Sequence, residues 1–169
     1  KDRGDRFSGH LLDLGTGSGA IALALAQSWP AARVTAVDAS LGALAVADSN
    51  RRCHHLEDRV ALVAGNWLDS FSPVRARFDV IASNPPYIPS AQIDRLQPEI
   101  ARYEPRAALD GGADGLDFIR HLVTRAAAFL TPGGGLFIEI GHDQYPAVRQ
   151  LAEDCGGDAQ VTCRQDYGG

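Results

Sequence analysis

Four consecutive residues, Asn84-Pro85-Pro86-Tyr87, carry the sharpest chemical signal in the chain. They follow the apolar run Phe78 to Ala82, which predicts a buried strand. Neither proline has an N–H to extend a strand ladder, and a residue before proline is driven towards extended backbone. The run therefore predicts a stiff loop at the end of a strand, presenting one carboxamide, free backbone carbonyls and one aromatic ring. The Asn84 side-chain oxygen and the Pro85 carbonyl can each accept one hydrogen of a planar N–H₂ group, and Tyr87 can cover its flat face. In open α/β sheets, ligands bind just beyond the carboxyl ends of the strands, which is where this loop is expected.

A second set of residues lies upstream. Gly15-Thr16-Gly17-Ser18-Gly19 separates the short apolar run His10 to Leu14 from the Ala- and Leu-rich stretch Ala20 to Trp29. Glycines between a strand and a helix allow a tight turn and the close approach of a ligand. The helix start beyond them offers unpaired N–H groups and a partial positive charge to a carboxylate or phosphate. Asp38 follows about 20 residues later at the end of the next strand, where an acid can bind both ribose hydroxyls. Gly15-x-Gly17-x-x-Ala20 also satisfies a loose dinucleotide fingerprint, so the glycines alone do not choose a cofactor. After the third strand, the Asn66 amide can pair with an exocyclic amine, and Trp67 is either a stacking platform for a purine or an ordinary core aromatic. Read together, Gly15 to Gly19, Asp38 and Asn66-Trp67 trace a nucleoside along three successive strand ends, and Asn84 ends the fourth.

Positioning these groups requires alternating strands and helices. Strands are expected at His10 to Leu14, Arg33 to Val37, Arg59 to Val63, Phe78 to Ala82, Leu136 to Ile140 and Ala159 to Cys163. Helices are expected at Ala20 to Trp29, Leu41 to His54, Gly115 to Leu130 and Tyr145 to Cys155, with Pro132 to Gly135 as a turn. Alternation of this kind implies a mostly parallel sheet with helices on both faces. Residues 88 to 112 read as a long connection with little periodicity, of a length that usually serves function.

Of the 169 residues, 45% are hydrophobic and 22% charged, the balance of a soluble globular chain. A net charge of −5 argues against a protein that tracks nucleic-acid phosphates. No apolar run reaches the roughly 18 residues of a membrane span. The opening residues Lys1 to Gly9 are polar, unlike a signal peptide, and read as a linker remnant. Cys53, Cys155 and Cys163 lack metal-ligand spacing and read as reduced thiols of a cytoplasmic protein. No metal site is expected, and His142 reads as a solvent-facing loop residue.

These residues resemble the class I S-adenosylmethionine-dependent methyltransferases, and among them the release-factor glutamine methyltransferases. The resemblance runs through Leu12-Asp13-Leu14-Gly15-Thr16-Gly17-Ser18-Gly19-Ala20-Ile21-Ala22, Val37-Asp38 and Ser83-Asn84-Pro85-Pro86-Tyr87-Ile88. It continues through Tyr103-Glu104-Pro105-Arg106-x-Ala108-Leu109 and Asp114-Gly115-Leu116, and the ending Thr162 to Gly168 is similar to the release-factor branch. Asn-Pro-Pro-Tyr alone is shared with enzymes that methylate adenine amines.

The resemblance implies a Rossmann-like catalytic domain over residues 10–169, with S-adenosylmethionine as cofactor and S-adenosylhomocysteine as product. Gly15, Thr16, Gly17, Ser18 and Gly19 would line the methionine part, Asp38 the ribose, and Asn66 and Trp67 the adenine. Asn84, beside the cofactor's reactive end, would with Pro85, Pro86 and Tyr87 hold the amide of the glutamine in a Gly-Gly-Gln loop of a peptide chain release factor. Position 66 is often Asp in such enzymes and is Asn here. The family also carries an N-terminal helical domain and a last strand beyond Tyr167-Gly168 that this sequence does not include, which would leave the Ala159 to Cys163 edge bare. The alternatives are a ribosomal-protein glutamine methyltransferase, an adenine-N6 nucleic-acid methyltransferase, a nicotinamide-dependent oxidoreductase on the glycine loop alone, and a cofactor-binding fragment without activity.

Overall fold

The computed structural model describes residues 7–156 and 160–165. The expectations for residues 1–6, for Ala159 and for the turn at residues 167–169 lie outside them. Among the described residues five strands form one sheet: β1 (His10–Leu14), β2 (Arg33–Asp38), β3 (Val60–Ala64), β4 (Phe78–Ser83) and β5 (Leu130–Ile138), in the order β3-β2-β1-β4-β5. The β1–β2, β1–β4 and β2–β3 pairs are parallel, as expected. Parallel central strands are covered on both faces, and β1 shows it: Leu11, Leu12, Asp13 and Leu14 in succession are 0% exposed.

Helix α1 (Ala20–Ser28) starts after Gly19, whose φ of 85° supplies the left-handed entry, and buries Ala22, Leu23 and Ala26. It packs against β1, β2 and β3. Its carbonyl end is held by Arg59, which donates to the Ala26 and Pro30 carbonyls. Helix α2 (Leu41–Cys53) is capped by Ser40, whose hydroxyl accepts from Ala43 N at 3.2 Å. Its last turn carries Arg51 and Arg52, which suit the negative end of the helix dipole and pair with Asp48.

By its internal contacts the chain forms two compact units, one of residues 1–84 and 126–137, the other of 85–125 and 138–169. The first contains β1 to β4, α1, α2 and nearly all of β5. The second contains α3 (Pro98–Tyr103), α4 (Arg106–Leu109), α5 (Asp117–Arg125) and α6 (Tyr145–Asp154), with α5 packed on α6. No helix of the described residues is long and apolar enough to cross a membrane.

Three expectations are corrected. The fifth strand begins at Leu130 rather than Leu136 and runs through the expected Pro132–Gly135 turn. An edge strand tolerates a proline because one of its sides has no ladder to complete, and Gly134 lets β5 approach the Phe78 and Asp79 carbonyls to about the 3 Å that a Cβ would contest. The expected sixth strand is absent over residues 160–163. One half-buried apolar residue, Val161, among exposed polar neighbours gives that stretch no face to bury, so the sheet edge is β5. Finally, residues 88–112 are not a connection without secondary structure: they hold a 3₁₀ turn (Ser90–Arg95), α3 with Pro98 in its first turn, and α4 entered from Pro105.

Candidate active site

The glycine loop is bolted to the sheet by its own backbone. Gly15 N and Thr16 N both donate to the Val37 carbonyl at 2.9 Å, and Gly19 N closes a turn on Thr16 O. Gly15, Gly17 and Gly19 have φ of 70°, 56° and 85°, backbone that side chains resist. Around Gly17 no atom lies within 4 Å of where a Cβ would stand, which leaves room for a ligand against the backbone. At Gly19 the same position meets Ala47 of α2 at 3.3 Å. Helix α2 also reaches the loop through Asn50, whose amide donates to Ser18 O at 2.9 Å.

Under the loop lies Asp13, fully buried. One carboxylate oxygen accepts from Thr16 Oγ1 at 2.6 Å and Ala22 N at 3.0 Å, so a single side chain ties the loop to the first turn of α1. The other oxygen is buried without a partner. Loss of hydration pushes the carboxyl up from 3.8 to about 6; the bonds from Thr16 and Ala22 oppose the rise, and the nearby Asp38 charge adds to it. The cost of ionising it there is outweighed by Leu11, Leu12 and Leu14 on the same strand, each contributing about 2 kcal/mol by burial.

Asp38 ends β2 half-buried. Its two oxygens accept from Gly17 N and Ser40 N, each at 2.8 Å, which aims the carboxylate across the mouth of the loop and leaves each oxygen capacity for one hydroxyl. Trp67 stands at the end of β3 with φ of 49°, and its indole edge would lie 3.3 Å from a Cβ on Gly15. The ring is thus half-buried beside the glycine loop, a position suited to a purine platform. Asn66 is exposed beside it and begins the 3₁₀ turn Trp67–Ser70.

Register places the Asn84 carboxamide next to this array. Leu14 of β1 pairs with Ser83 of β4, so Asn84 is one residue past the pair, at the same level as Gly15. Ser83 Oγ donates to Leu14 O at 2.8 Å and locks the two strand ends together. Asn84 is exposed, and no hydrogen bond joins its side chain to another described residue. Gly15 to Gly19, Asp38, Trp67 and Asn84 therefore converge on one carboxyl edge of the sheet.

Pro85, Pro86 and Tyr87 follow in the chain and belong to the second unit, where both prolines are buried. There the Tyr87 hydroxyl donates to Glu139 at 3.2 Å, and the Tyr87 carbonyl accepts from the buried Gln144. Ile88 pairs with Asp110, donating to Leu109 O at 3.0 Å and accepting from Gly111 N at 2.9 Å. Asp110 accepts from Ser90 Oγ and Gly112 N, contacts that hold its carboxyl below the usual range. Sequence reasoning missed Asp13, Asn50, Glu139 and Gln144 as parts of this framework. Among the described residues no group of acidic, His and Cys side chains is placed to hold a metal ion, and His142 is exposed.

Comparison with known proteins follows the same lines. The chain is 47% identical over 161 residues to the release factor glutamine methyltransferase of Thermosynechococcus vestitus, covering 95% of this chain and 55% of that protein. It is 51% identical over 142 residues to the protein of that name from Gloeobacter violaceus, covering 83% and 49%. The chain thus spans about half the length of the curated relatives it matches. Among solved structures, a methyltransferase from Pyrococcus furiosus superposes with a TM-score of 0.65 at 22% identity, over 89% of this chain and 66% of that one. A ribosomal protein L11 methylase from Lactobacillus delbrueckii subsp. bulgaricus gives 0.64 at 20% identity, over 96% and 68%. These likenesses share the Rossmann-like fold of a mostly parallel sheet. The profile of the methyltransferase small domain matches residues 3–102, which include every loop of the site up to Tyr87, and the chain belongs to that family.

Proposed function

We propose that this chain is the catalytic part of an S-adenosylmethionine-dependent methyltransferase whose acceptor is the side-chain amide of the glutamine in a Gly-Gly-Gln loop of a peptide chain release factor. The carrying observation is Asn84: an exposed carboxamide with no hydrogen-bond partner among the described residues, one residue beyond the Leu14–Ser83 pair, beside the glycine loop. The relatives named for that activity support the acceptor. When bound, the cofactor supplies an electrophilic methyl group on a sulfonium.

The residues present fit such a cofactor. Within Gly15 to Gly19, the open backbone at Gly17 leaves room for its methionine part, with the N-terminus of α1 beyond for its carboxylate. Asp38 keeps acceptor capacity for the ribose hydroxyls, and Trp67 and Asn66 border the space for the adenine. An amide nitrogen is a weak nucleophile because its lone pair is delocalised into the carbonyl. Asn84 Oδ1 and the Pro85 carbonyl accept its two N–H bonds and aim the nitrogen. Positive charge would grow on that nitrogen as its bond to the methyl carbon forms and the methyl's bond to sulfur breaks, its electron pair leaving with the thioether, so both acceptors would bind more tightly in the transition state than before it. One N–H proton then leaves to water. Orientation supplies much of the remaining acceleration. Residues 10–169 hold this machinery, and segments of a longer chain, as in relatives of about twice this length, add docking contacts. This is chemistry of the cytoplasm, where release factors act.

The test is mass spectrometry of purified release factor incubated with labelled S-adenosylmethionine and this chain, with a longer native form alongside. One methyl on the Gly-Gly-Gln glutamine is expected. Labelled adenine in DNA, with the release factor untouched by either form, would overturn the proposal.

A further inference from the structure

Gln144 stands immediately before α6 and is only 8% exposed, one of the few buried polar residues among those described. Both ends of its carboxamide are engaged. Oε1 accepts from Gly141 N at 2.8 Å, while Nε2 donates to Tyr87 O at 2.9 Å and to Gly115 O at 3.2 Å. One side chain thereby joins three segments: the loop that follows Asn84, the Asp114-Gly115 turn and its own turn at Gly141.

The surrounding backbone is shaped for this bond. Gly115 has φ of 76°, and a Cβ there would lie 2.4 Å from Tyr87 O and 2.8 Å from Gln144 Nε2. At Gly111 a Cβ would lie 2.8 Å from Pro86 O. Two glycines thus let the 111–115 segment press directly on the Pro86 and Tyr87 peptide groups, and Asp114 fixes the turn between them by accepting from Leu116 N at 3.0 Å and pairing with Arg120.

We infer that Gln144 is a positioning residue for the acceptor grip: through the Tyr87 carbonyl it holds the Pro85-Pro86-Tyr87 backbone, and so sets where the Pro85 carbonyl and the Tyr87 ring stand. The inference rests on the function proposed above. Only a carboxamide meets the need, because the site asks for one acceptor towards Gly141 and two donors towards carbonyls. Glutamate has the same shape but turns an oxygen on the two carbonyls, and methionine fills the space with neither donor nor acceptor of comparable strength.

The variants Gln144→Glu and Gln144→Met are compared with the parent chain in two assays. In hydrogen exchange, without cofactor, the Ile88, Ser90 and Gly111 amides, all bonded within this framework, exchange roughly tenfold faster or more in both variants, while Gly15 and Gly19 are unchanged. In methyl transfer to release factor, kcat falls about 100-fold in both, the scale expected when a reacting group is misplaced by about 1 Å. Cofactor affinity, a property of the glycine loop, stays within about twofold. A residue that merely filled space would leave Gln144→Glu at parental kcat. That result, or unchanged exchange at Ile88 and Gly111, overturns the inference. A parent chain and longer form that both leave release factor unmethylated overturn the proposed function instead, and the exchange assay still decides whether Gln144 holds the loop.

Discussion

Burial of Asp13 makes stability depend on pH with an unusual sign. Its carboxyl is raised from 3.8 to about 6 in the folded chain, chiefly by loss of hydration. Between those values the folded state binds more protons than the unfolded state, so unfolding free energy falls as pH rises. The contribution is complete below pH 3.8, drains away through the window, and is gone above about 6. A rise of about two units at about 1.4 kcal/mol each corresponds to about 3 kcal/mol. Other carboxylates act oppositely. Asp48, Asp110 and Asp114 are held below the usual range, chiefly by Arg51, by Ser90 and by Leu116 N respectively, and stabilise the fold as pH rises. Comparison with an Asp13→Asn variant removes these shared contributions. Urea unfolding followed by the fluorescence of Trp29 and Trp67, both in the first unit, is measured for the two proteins between about pH 4 and pH 7.5. The parent is expected to lose about 2.5 kcal/mol relative to Asp13→Asn over that range, the remainder of the ~3 kcal/mol having gone below about pH 4. Parallel stability curves would refute the reasoning, because they would mean that Asp13 titrates alike in the folded and unfolded chains.

Three further outcomes are expected. Asn84→Ala, at an exposed side chain with no hydrogen-bond partner among the described residues, leaves stability and cofactor affinity nearly unchanged and lowers turnover by about 100-fold, as for loss of one preorganised polar group; single-turnover methylation and calorimetry separate the two effects. Gly17→Val abolishes S-adenosylmethionine binding, since its side chain enters the open space beside the loop and strains a φ of 56°, and isothermal titration showing parental affinity would contradict this. Gly115→Ala lowers stability by about 2 kcal/mol or more, because its Cβ meets Tyr87 O at 2.4 Å, a loss read by thermal or urea unfolding.

Legibility in the sequence follows the range of the interactions. Strands β1 to β4 are readable to within about a residue because each is a short apolar run ended by Gly, Asp or Asn, and the parallel order follows from the alternation with helices. Asp38 and the glycine loop are readable because local turn chemistry demands those residue types. The course of β5 is not, since Pro132 and three glycines signal a turn locally and only the neighbouring β4 makes them a strand. Helices α3 and α4 are short and bury no residue, without the periodicity that betrays a longer helix. Asp13 is visible as a letter but not as a strut, because its value depends on burial. Gln144 is invisible for a plainer reason: its partners Tyr87 and Gly115 lie 57 and 29 residues away.

The pair of hydrogen bonds that Gly15 N and Thr16 N donate to the Val37 carbonyl has a thermodynamic corollary. Ordering a flexible residue costs about 1–2 kcal/mol of backbone entropy. With those two amides on Val37, Gly17 N on Asp38 and Ser18 O on Asn50, the loop has already surrendered most of that freedom during folding. A ligand meeting it finds a template rather than a coil. Its association then proceeds without a slow rearrangement of the loop, and the measured binding entropy reflects the ligand and its released water far more than the protein.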